Sequence, residues 1–108
     1  MNISTDRKIV TAAKALIELY TKHGGGEGFW DKVRQGAEYG DILCKHLIVI
    51  YDAVRANHKR NIVSTSKNLI SMLNKHGGEA FWREIREYAR QGDPICQAYL
   101  DLKEATGM

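Results

Sequence analysis

The run KHGGGEGFW at residues 22–30 returns as KHGGEAFW at residues 75–82, and the match extends well beyond it. Pairing residues 5–53 with 58–105, with Gly26 as a one-residue insertion, gives 19 identities in 48 pairs. Self-similarity on that scale marks a duplicated folding unit and constrains the fold more than any single motif does. The chain has 108 residues, room for one domain with one core. About fifty residues bury too little surface to stand alone. Two units, about 5–57 and 58–105, are therefore expected to share one core in a single domain over residues 1–108.

Each unit reads as three helices, making an all-α protein of six. Ile9, Ala13, Leu16, Ile17 and Tyr20 follow the spacing of one helical face, and Ile62, Ser66, Leu69, Ile70 and Leu73 repeat it. The pairs Lys22–His23 and Lys75–His76 suit the negative end of a helix dipole, and the glycines after them predict left-handed caps. A second helix is expected near Glu27 or Glu79, burying Phe29, Trp30, Val33 and Ala37 or Phe81, Trp82, Ile85 and Ala89. It closes at Gly40 or Gly92, after which Asp41 or Asp93 can N-cap a third helix; Pro94 stands where proline is best tolerated. The first of these third helices, ILCKHLIVIYDAV, is apolar on more than one face, which predicts a central position for it and an edge position for the last helix.

The glycine runs do not read as catalytic loops. HGGG resembles the oxyanion-hole loop of some lipases and esterases, but the chain lacks the nucleophile elbow G-x-S-x-G that accompanies it. It has no phosphate-cradling G-x-x-x-x-G-K-[ST] either. No nucleophile sits beside an evident base, so a non-enzymatic protein without cofactors is expected. His23, Cys44, His76 and Cys96 form two repeat-related pairs that a twofold arrangement could gather into a zinc tetrahedron, although their spacing is unlike that of the usual close cysteine pairs. A buried cysteine and a helix-capping histidine in each unit is the competing reading.

Charge points to a surface. No acidic residue occurs in residues 53–78, where Arg55, His58, Lys59, Arg60, Lys67 and Lys75 form a candidate basic surface for nucleic-acid phosphates or an acidic protein. The net charge of +3 belongs to the second half, which has nine basic and six acidic side chains against seven of each in the first. Trp30 and Trp82 are candidate aromatic hot spots, since neighbouring rings on a helix diverge and one of each Phe–Trp pair can face a partner.

The turns in EYGDILC and RQGDPIC resemble those between helices in tetratricopeptide-like or Sel1-like repeats, over about a dozen residues per copy. The period of 52 to 53 residues is longer than in those families, so the resemblance implies a helical-hairpin turn and no binding residues. The expected function is a macromolecular interaction module: a protein-binding regulator, adaptor or inhibitor, with a nucleic-acid-binding accessory protein as the alternative. Two cysteines and no apolar leader or membrane span predict a cytoplasmic protein. A monomer or a homodimer is expected, the dimer by exchange of units about a hinge at residues 58–61.

Overall fold

A computed structural model describes residues 3–108, which form six helices: α1 (Ile3–His23), α2 (Gly28–Glu38), α3 (Ile42–Arg55), α4 (Lys59–His76), α5 (Gly78–Arg90) and α6 (Pro94–Thr106). The starts of α3 and α6 have the same local cause. The Asp41 carboxylate accepts from the Cys44 amide at 3.0 Å, and that of Asp93 accepts from the amides of Ile95 and Cys96 at 2.9 and 3.0 Å. Each aspartate is extended and follows a glycine at φ 98° or 103°, so chain reversal and capping occupy two residues. At α4 the cap is His58, whose Nδ1 accepts from the Asn61 amide at 3.3 Å.

The other two turns are built differently. Neither α2 nor α5 has a side-chain cap, although each begins beside the expected glutamate: Glu27 bonds Tyr51 and Arg55, and Glu79 bonds Arg86. Each glycine pair supplies the left-handed residue expected of it, at Gly25 in the first run, with Gly26 beside it, and at Gly78 in the second, while Gly24 and Gly77 are not left-handed. Close approach is what requires the first glycine of each run. A Cβ on Gly24 would stand 2.5 Å from the Phe29 ring, and one on Gly77 would stand 2.7 Å from the Phe81 Cβ.

Packing runs across the sequence halves. α1 lies along α6 more extensively than along any helix of its own half, and α4 does the same with α3. α1 and α4 also touch each other, and each meets four other helices, whereas α3 and α6 each meet three. The expectation of a central α3 and a peripheral α6 is therefore corrected: the two hold equivalent places, and α1 and α4 are central. The surplus apolar residues of α3 explain the misreading, because Ile42 and Val49 are exposed at 45% and 48%. Ile9, Leu16, Ile62, Leu69, Ile70 and Leu102 are fully buried together in one core.

Trp30 and Trp82 belong to that core, each 2% exposed. Each indole also has its polar edge satisfied by a first-helix side chain of its own half. Trp30 Nε1 donates to Thr21 Oγ1 at 2.7 Å, and Trp82 Nε1 donates to Asn74 Oδ1 at 2.8 Å. Over the faces of the rings the halves diverge: Tyr51 stacks on Trp30 at 4.4 Å, while Lys103 places its ammonium 5.1 Å from the Trp82 ring.

Candidate binding groove between α1 and α4

Where the two central helices meet, their N-terminal halves leave a groove of about 630 Å³. Asp6, Arg7, Val10, Thr11 and Lys14 line it from α1. Lys59, Arg60, Val63, Ser64 and Lys67 line it from α4. The side chains fall there because residues three, four and seven apart share a helical face, and the buried face of each helix is one step round, at Ile9, Ala13 and Leu16 or Ile62, Ser66 and Leu69. The two valines are half-buried, and all five cations stand exposed beside them. Five positive groups and one carboxylate over an aliphatic floor make a site for an anion that also carries apolar surface.

The two walls match in register. At the same offset that pairs Ile9 with Ile62, Arg7 pairs with Arg60, Val10 with Val63, Thr11 with Ser64 and Lys14 with Lys67. Asp6 with Lys59 is the exception, opposite in sign. Among the exposed positions of the same helices outside the groove, Lys22 matches Lys75 and His23 matches His76 at the helix ends, whereas Lys8 stands against Asn61, Ala15 against Asn68 and Glu18 against Ser71. Val10 and Val63 pack against the core, which accounts for their agreement, while the matched cations, Arg7 with Arg60 and Lys14 with Lys67, stand exposed.

The basic surface expected from the sequence is divided by the fold. Lys59, Arg60 and Lys67 come together in the groove. Arg55 does not join them: its guanidinium is held by the Glu27 carboxylate at 2.5 Å and by the Tyr51 hydroxyl at 3.0 Å, which ties α3 to the start of α2. His58 is occupied as the α4 cap. Lys75 stands in the last turn of α4, about 24 Å along the axis from Lys59 at ~1.5 Å per residue. Arg7 and Lys14 complete the groove and were missed because they lie outside the acid-free stretch. The repeat register that aligns them with Arg60 and Lys67 was the signal that could have found them.

The remaining candidates are placed elsewhere. Burial removes Trp30 and Trp82 as exposed hot spots, because the large ring is the one each Phe–Trp pair turns inward. His23, Cys44, His76 and Cys96 are not gathered into a metal-binding group: among the described residues no three histidine, cysteine or acidic side chains are placed to hold an ion. Both histidines are exposed at helix ends, and both cysteines are free and half-buried, with burial first and the capping aspartate second in pushing each thiol upward. Among the described residues no helix is long and apolar enough to cross a membrane. Comparison with family models, with curated proteins and with solved structures found no match to this chain.

Proposed function

We propose that this protein is a non-enzymatic interaction module, a regulator, adaptor or inhibitor, that binds an acidic segment of a partner protein in the α1–α4 groove. The observation that carries the reading is the wall chemistry, in which Arg7, Lys14, Lys59, Arg60 and Lys67 stand exposed above the half-buried Val10 and Val63. Carboxylates answer the cations, and aliphatic side chains answer the valines. In the same reading the chain is two homologous three-helix units forming one domain, at work as a monomer or a homodimer in the cytoplasm, a compartment that suits two free thiols.

Nucleic acid is the second reading, favoured by the five groove cations. Against it, no aromatic ring is among the residues lining the groove, so single-stranded bases would find no stacking surface there. Titration of the purified protein with labelled acidic amphipathic peptides, and with duplex and single-stranded DNA and RNA, over a salt series separates the two. Salt-sensitive peptide binding lost on Arg60→Ala and Lys67→Ala supports the protein-partner reading. Binding of nucleic acid alone, with the same losses, replaces it.

A further inference from the structure

We infer that the groove is polarised by Asp6 and Lys59 and admits an acidic amphipathic helix in one direction. The inference rests on the acidic-segment reading above and adds the shape and orientation of the segment. Lys14 donates to Asn57 Oδ1 at 3.1 Å, just before α4 begins, which puts its ammonium at the same end of the groove as Lys59 and Arg60. Arg7 lies seven residues before Lys14 and Lys67 seven after Arg60, each about 10 Å away along its own helix at ~1.5 Å per residue. Beside Arg7, Asp6 replaces the cation that Lys59 supplies at the register-equivalent place. One end thus holds three cations, while away from it Asp6 offsets part of the charge of Arg7 and Lys67.

A helix fits this pattern because carboxylates seven residues apart on one face are also about 10 Å apart, with an aliphatic residue between them to meet Val10 and Val63. The segment is therefore acidic on two successive turns, apolar between them and more acidic at one end. Its acid-dense end lies by Lys14, Lys59 and Arg60, and a neutral or basic residue lies by Asp6.

The test uses the full chain, isotope-labelled, with a synthetic helical peptide of about 16 residues that has acidic residues seven apart, leucine between them and extra glutamates at one end. A nitroxide is placed on the acid-dense end in one preparation and on the opposite end in another. The expected result is broadening of the Lys59 and Arg60 amides by the first label and of the Arg7 amide by the second, with a preference of about fivefold, the upper range for one exposed ion pair. Asp6→Lys, checked for folding by its spectrum, should tighten binding and erase the preference. Equal broadening of both ends by each label would overturn the polarity and leave the acidic-segment reading standing. Absence of any peptide-induced change at the groove amides overturns both.

Discussion

The hydroxyls of Tyr20 on α1 and Tyr99 on α6 meet at 2.6 Å, joining the first helix of the chain to the last. Tyr99 is 4% exposed, and its hydroxyl depends on Tyr20 for a partner within the protein. Tyr99→Phe should cost about 1 kcal/mol, the net value of a buried neutral hydrogen bond. Burial, the first cause for each, holds both phenols above their usual value of 10.0, Tyr99 well above it. As pH rises the unfolded chain ionises first, so stability is intact below about pH 10 and is lost as pH climbs toward the folded values. Thermal melts of the protein and of the double Tyr20→Phe, Tyr99→Phe variant from about pH 8 to about pH 11 should show the gap between them narrowing at the alkaline end. A gap independent of pH removes the phenol pair as its source.

The position that matches Ala13 in α4 is Ser66, fully buried, and its Oγ has no hydrogen-bond partner among the described residues. An unpaired buried hydroxyl costs about 1–3 kcal/mol, and alanine is the better helix former. Ser66→Ala should raise the midpoint of thermal unfolding by about 5 °C, for a gain near 1 kcal/mol. A lower midpoint would mean that the hydroxyl is satisfied.

Because α1 packs chiefly on α6 and α4 chiefly on α3, neither half of the sequence encloses its own share of the core. Peptides covering residues 1–57 and 58–108 should each lack cooperative unfolding by circular dichroism and regain helicity on mixing. Cooperative melting of either peptide alone would show that a half is self-sufficient.

Arg55 and Arg60 stand five residues apart in one basic stretch, yet their predicted roles differ. Arg55→Ala removes the contact with Glu27 and Tyr51, an exposed pair worth roughly 0–1 kcal/mol, and should leave binding in the groove unchanged. Arg60→Ala should leave the melting temperature unchanged and weaken binding of an acidic peptide about fivefold, with a shallower salt dependence. Equal weakening by both substitutions would place the binding surface on the connector between α3 and α4 and not in the groove.

Helix content was legible in the sequence because each element carries its own signal. Apolar spacing marks α1 and α4, the Gly-Asp turns mark the starts of α3 and α6, and the capping bonds of Asp41 and Asp93 follow from them. What periodicity does not encode is which apolar face meets which helix. Val49 and Ile48 read alike in sequence, but Val49 is exposed and Ile48 is core. The groove was half-legible for the same reason. Lys59, Arg60 and Lys67 stand out by charge, whereas Arg7 and Lys14 join them only through the contact of α1 with α4. Arg55 shows the converse, a prominent charge that tertiary structure assigns to Glu27.

Gly77 is the residue at which the second glycine turn is least tolerant, although its φ of −92° is open to any side chain. Its limit is space: an added Cβ would meet Phe81 Cβ at 2.7 Å and the Leu73 carbonyl oxygen at 2.9 Å. The carbonyl belongs to the last turn of α4 and accepts the Gly77 amide at 2.8 Å, so it is not free to withdraw. Phe81 lies beside Trp82 with ring centroids 5.1 Å apart, so moving it would disturb a core indole. Gly77→Ala should therefore cost about 1–3 kcal/mol despite the helix-favouring replacement, as overpacking does elsewhere. Gly92→Ala meets open space at φ 103° and should be destabilising through backbone strain alone, about 1–2 kcal/mol. Adding Phe81→Gly, which removes the Cβ and Cγ that the new methyl would meet, tells the two apart: in that background Gly77→Ala should cost less than in the parent and Gly92→Ala should cost the same. Equal behaviour of the two glycine variants in that background would refute the steric account of Gly77.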